Sequence, residues 1–142
     1  MKRAGIDYAG SAPGSPALQL EGNQLQQVAG GELHGLIHLL GGALPDGAQL
    51  ALGLRWHTEG RGRKDEGILE VAIPRPFGVA DAAVPFTVRL PPGPWTYHGT
   101  LVKILWEIWP EVRRPSGDVL RGPTVGFTLL SPFAIRGAAA YR

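Results

Sequence analysis

The chain reads as an all-β sandwich, and three observations predict it. Large apolar residues recur at every second position through most of the sequence. Gly and Pro punctuate nearly every gap between those runs. The two segments long enough for a helix both carry residues that oppose one. The first, Leu33 to Leu44, contains Gly35, Gly41 and Gly42, each weakening a helix by about 1 kcal/mol. In the second, Thr100 to Arg114, Pro110 would break the middle. The 142 residues are one domain's worth of material. With 44% hydrophobic residues, the 21 Gly and 13 Pro mark turns between short elements rather than low complexity.

Residues 1–16 read as a loosely attached lead-in, because Gly5, Gly10, Ser11, Pro13, Gly14, Ser15 and Pro16 leave no periodic pattern. Residues 17–142 then read as a single sandwich domain. Leu18 and Leu20 alternate with Gln19 and Glu21 before a turn at Gly22-Asn23. Leu33, Gly35, Ile37 and Leu39 share one parity, with His34, Leu36, His38 and Leu40 on the other. Leu50, Leu52, Leu54 and Trp56 form the clearest half-buried strand. Ile68 to Ile73 and Val84 to Leu90 are shorter runs, and Val102, Ile104, Trp106 and Ile108 make a second long inward row. Val119-Leu120 and Val125 to Leu130 bring the total to about seven or eight strands. Pro74, Pro76 and Pro85 withhold ladder donors, so residues 74–85 are expected to cross between sheets.

Composition excludes several classes. Without cysteine there is no disulfide framework, thiolate zinc site or thiol nucleophile. The longest apolar stretch, Gly35 to Pro45, falls short of the ~18 residues a membrane-spanning helix needs. No apolar signal core follows Lys2 and Arg3. A soluble cytoplasmic domain without membrane insertion is therefore expected. The net charge is +2, and the densest basic run, Arg61, Arg63 and Lys64, is flanked by Glu59, Asp65 and Glu66, which argues against nucleic acid as a partner.

The usual catalytic sets are also missing. On a strand, His34 and His38 stand about 13 Å apart, too far to share a metal ion. None of Ser11, Ser15, Ser116 or Ser131 lies in a G-x-S-x-G turn, and no phosphate-cradling Gly-rich loop precedes a helix. Glu107 and Glu70 are the carboxylates nearest strong strands, so a hydrolase would need a site dispersed through the sequence. No enzyme activity, cofactor or metal is expected.

Two surfaces remain. Leu105 and Trp109 take the outward parity of their strand, as Leu36 and Leu40 do of theirs; together they would make an exposed apolar patch that binds a protein partner or a second copy by sheet or edge pairing. Separately, Pro91-Pro92-Gly93-Pro94 forms a stiff corner followed by Trp95, Tyr97 and His98. Its aromatics either plug the end of the sandwich or offer a platform to a carbohydrate or other small ligand.

The order of these signals resembles a known family. Gly31-Glu32-Leu33-His34-Gly35-Leu36-Ile37-His38-Leu39 is similar to the opening strand of the arrestin N-terminal-like domain. Val84-Pro85-Phe86-Thr87-Val88-Arg89-Leu90-Pro91 and the corner Gly93-Pro94-Trp95-Thr96-Tyr97-His98-Gly99 are similar to its later motifs, followed by the strand Leu101 to Trp109. The resemblance spans residues 17–112 and is nearest to the small bacterial arrestin-like proteins of the sporulation-control type. It implies an immunoglobulin-like sandwich that works through protein contacts as an adaptor or scaffold, without catalysis or cofactor. The chain departs from arrestins in having room for one sandwich rather than two, and in lacking their buried charged cluster, so phosphoprotein recognition is not implied. The stretch from Val119 to Arg142 matches no motif of the family.

Overall fold

The computed structural model of the chain describes residues 16–20, 25–39, 47–62, 64–74 and 83–133. In chain order the strands are β1 (Pro16–Gln19), β2 (Gln26–Val28), β3 (Glu32–Leu39), β4 (Gln49–Gly60) and β5 (Glu66–Ala72). They continue with β6 (Ala83–Arg89), β7 (Tyr97–His98), β8 (Val102–Arg113), β9 (Val119–Arg121) and β10 (Val125–Leu130). Each expected run is a strand; the larger number comes from two short pieces, β2 and β7, that a period-two pattern cannot register. Residues 1–15, the Gly22-Asn23 turn, Leu40, most of the Pro74–Pro85 connector and residues 134–142 lie outside the described residues.

Two sheets face each other. The smaller runs β1-β3-β6, and the larger β2-β10-β8-β4-β5, with β7 and β9 also paired to β8. Among the described residues all pairings are antiparallel except β10 with β2, which are parallel. Alternation decides what lies between the sheets. Leu33, Ile37 and Leu39 of β3 and Val84, Phe86 and Val88 of β6 meet Leu50, Leu52 and Leu54 of β4, Trp106, Ile108 and Val112 of β8, and Phe127 and Leu129 of β10. These side chains are at most 6% exposed. The Trp106 and Phe127 ring centroids lie 5.7 Å apart, tilted by 40°. Pro16, placed by the sequence in the lead-in, is buried and pairs with Leu39. Its strand also lies over β8 and Gly122, where no side chain would fit.

Pro110 survives in the middle of β8 for a definable reason. β4 pairs with β8 along all twelve residues, so the opposite side of β8 is shared by β7, β10 and β9. The antiparallel ladder alternates, and Pro110 turns its nitrogen toward that shared side, between the stretches paired with β10 and β9. No donor is required there, and the Pro110 carbonyl accepts the Gly122 N–H at 2.8 Å.

Three aromatic residues lie across the glycine directly opposite them. Phe86 faces Gly35, Trp109 faces Gly53, and Trp56 faces Gly67. A Cβ on Gly35 would stand 2.6 Å from the Phe86 ring, and one on Gly53 would stand 2.5 Å from the Trp109 indole nitrogen. The bare glycine lets each ring lie flat on the neighbouring strand, which is how a sheet gains area from a residue that has no side chain.

Candidate functional site

The corner between β6 and β8 is held from several sides. Gly30 N–H donates to the Pro91 carbonyl at 3.2 Å, and Leu90 N–H donates to Gly31 at 2.8 Å. The Gly93–Pro94 peptide is cis. The Trp106 indole N–H reaches out of the core to the Pro94 carbonyl at 2.6 Å. Thr96 is the clamp: its N–H donates to the Leu129 carbonyl and its Oγ1 accepts the Leu129 N–H, both at 2.8 Å. Tyr97 and His98 then pair with Ile104 and Lys103, and Gly99 N–H closes onto the Val102 carbonyl at 2.9 Å.

These bonds fix where the aromatics point. Trp106, only 2% exposed, plugs the end of the sandwich, whereas Trp95 and Tyr97 stay 44% and 54% exposed. Between them lies an open groove of about 490 Å³ lined by Pro92, Pro94, Trp95, Tyr97 and Ile104. Two of its polar groups are engaged within the chain: the Trp95 indole N–H donates to the Pro92 carbonyl at 2.9 Å, and Thr96 Oγ1 accepts the Leu129 N–H. Besides the Tyr97 hydroxyl, the groove presents ring faces, proline edges and the Ile104 side chain. His98 does not belong to it. Pairing with Lys103 puts His98 on the outer face of the large sheet, in a separate shallow groove with His57, Glu59, Leu105 and Glu107. The expected trio of Trp95, Tyr97 and His98 is thus divided between two faces, because alternate residues of one strand point opposite ways.

The expected apolar patch is not formed. Leu36 lies on the outer face of the small sheet, whereas Leu105 and Trp109 lie on the outer face of the large one, with the core between them. Leu40 lies outside the described residues. Trp109 has the outward parity predicted for it yet is only 3% exposed. Its ring lies on Gly53, the Arg121 guanidinium sits 3.6 Å above the ring centroid, and its indole N–H donates to Glu111 Oε1 at 2.7 Å. The chain covers its own tryptophan with a cation, a favourable arrangement for a π face. Leu105 is half-buried in the groove that it shares with His57 and His98.

The carboxylates considered for acid–base chemistry are also committed. Glu107 pairs with Arg55, which also lies 3.6 Å from Glu66. Arg113 bridges Glu70 and Glu111, and hydrogen bonding first to Glu70 and then to Glu111 raises its pKa above the ordinary arginine value. Across the large sheet this makes a ladder from Glu70 through Arg113 and Glu111 to Trp109 and Arg121. His34 hydrogen bonds Thr87 at 3.0 Å on the neighbouring strand. Among the described residues, no group of three or more His, Asp or Glu side chains could hold a metal ion.

Sequence reasoning missed Thr96, Ile104 and Arg121. Ile104 belongs to the inward row of β8, but it lies past Trp106, where the core ends, and lines the corner groove instead. Nothing in the sequence distinguishes Thr96 or Arg121, since both act through partners distant along the chain.

The fold defines a class: an arrestin-like β-sandwich. Among solved structures it is similar to Spo0M, a sporulation control protein from Bacillus subtilis, with TM-score 0.53 and 17% identity over 81% of this chain and 48% of that one. The chain spans about half the length of Spo0M, and the likeness is one of fold. Superoxide reductase (neelaredoxin) from Ignicoccus hospitalis aligns over 82% of this chain and 80% of that one, at 11% identity and TM-score 0.40, too slight a similarity to bear on chemistry. No family model matches the sequence, and no curated protein matches it. No helix among the described residues is long and apolar enough to cross a membrane.

Proposed function

We propose that this chain is a non-catalytic adaptor whose sandwich engages a protein partner at the corner groove of Trp95, Tyr97 and Ile104. One observation carries the reading: two large aromatic rings stay exposed on a backbone pinned to β8 and β10. Holding Trp and Tyr rigidly before binding lowers the ordering cost on association, and these residue types dominate interface energetics. The groove suits an apolar side chain better than a sugar. A sugar needs several polar groups aimed at its hydroxyls, and here the Trp95 N–H and Thr96 hydroxyl are bound within the chain. The engagement of Glu70, Glu107 and Glu111 by arginines or Trp109 fits a structural use of those carboxylates.

A photo-crosslinking amino acid at Tyr97 in the native host tests this. A discrete protein adduct is expected, and it should disappear when Trp95→Ala is added while thermal stability is unchanged. An adduct insensitive to Trp95→Ala, or a carbohydrate retained on a glycan array through Trp95, would overturn the reading.

A further inference from the structure

Beyond the corner, we propose that the outer edge of β5 accepts an extended basic segment of a partner protein as an added strand. Among the described residues six strands pair on one side only, and β2, β7 and β9 have three residues or fewer. β1 has four residues, and β6 carries Pro85. β5 has seven residues, unbroken in register against β4 from Ala72 to Glu66, and contains neither Pro nor Lys. Of the devices that usually protect a sheet edge, it has only charge, and that of one sign.

The ladder shows which groups are open. Thr58 N–H bonds to Asp65 at one end and Ile73 N–H bonds to Leu50 at the other. Residues 65, 67, 69, 71 and 73 therefore turn their backbone groups toward β4. By the same alternation, Glu66, Ile68, Glu70 and Ala72 turn their N–H and C=O groups away from it. Ile68, 55% exposed, lies on the outer face between Glu66 and Glu70, while Leu69, 43% exposed, is on the opposite face.

Charge selects the occupant. β5 carries two glutamates whose side chains are 57% and 51% exposed, and no cation; Lys64 precedes the strand. Arg55 and Arg113 approach these glutamates from the β4 and β8 side, leaving the open side acidic. A strand added there would place alternate side chains opposite Glu66, Ile68 and Glu70. The matching pattern is basic, any residue, apolar, any residue, basic, and it reads the same in either direction. Self-pairing of β5 about Ile68 would set Glu66 against Glu70 of the second copy, and pairing about Glu70 would set that glutamate against itself. Like charges directly opposite are unfavourable.

The probe is the peptide Thr-Lys-Val-Val-Val-Lys-Thr, with a control in which Glu replaces both Lys, each titrated against the full chain with hydrogen exchange read at single amides. The basic peptide should slow exchange at Ile68 and Glu70 and bind about tenfold or more tightly than the acidic one. The double variant Glu66→Lys/Glu70→Lys should reverse that preference. Ile68→Pro removes an outward N–H that β4 does not use, so it should abolish binding while the β4 amides stay protected. Equal binding of the two peptides, protection centred on Trp95 or Tyr97 instead of β5, or a concentration-dependent dimer that Ile68→Pro dissolves would each overturn the proposal. The corner reading is tested by Trp95→Ala and stands or falls separately.

Discussion

Gly53→Ala is the sharpest test of how the large sheet is built. The new methyl would stand 2.5 Å from the Trp109 indole nitrogen, and the neighbouring ring carbons leave no room either, so the ring must lift. Lifting it strains a packed site, at a typical cost of about 1–3 kcal/mol. It also weakens the bond to Glu111, a charged acceptor worth roughly 1.5–3 kcal/mol, and the Arg121 stack, worth about 0.5–1 kcal/mol. These losses overlap because they belong to one ring, and Gly→Ala returns about 0.4–1 kcal/mol by restricting the unfolded chain. The net expectation is a loss of about 2–4 kcal/mol, or roughly 6–12 °C in Tm. The mechanism is isolated by repeating the substitution in a Trp109→Ala background, where the methyl has space and Gly53→Ala should be neutral or stabilising. Urea unfolding followed by circular dichroism on the four chains of the cycle gives the coupling, expected at about 2 kcal/mol or more. If Gly53→Ala costs the same in both backgrounds to within about 0.5 kcal/mol, Trp109 does not lie on Gly53 and the covered-tryptophan account is wrong.

Two further substitutions probe the core and the corner. Gly35→Ala would crowd the Phe86 ring and the Leu20 side chain and should cost about 1–3 kcal/mol in urea unfolding, whereas a surface-like cost below about 0.5 kcal/mol would contradict the packing described. Thr96→Val keeps the shape but leaves the buried Leu129 N–H without its acceptor. It should cost about 1–3 kcal/mol and speed exchange at the Leu129 amide; an unchanged amide would mean that the clamp is not made.

Alternation along the sequence was enough to determine the sandwich and to assign inward residues on β3, β4 and β8. A strand offers only two directions, and a buried face must be apolar along its length. The stiff proline corner was equally evident, because proline restricts φ wherever it stands. Which outward residues remain exposed was decided by the tertiary structure. Trp109 has the predicted parity, but its burial depends on the bare glycine opposite it and on Arg121, delivered by a strand that pairs only two positions farther along β8. Leu36 and Leu105 have the same outward character in sequence, yet the strand order puts a core between them. Trp95 and Tyr97 became a surface because Trp106, reached through the β7–β8 pairing, already closes the sandwich end. Parity is a local property of the chain, whereas exposure depends on what the rest of the fold places on top.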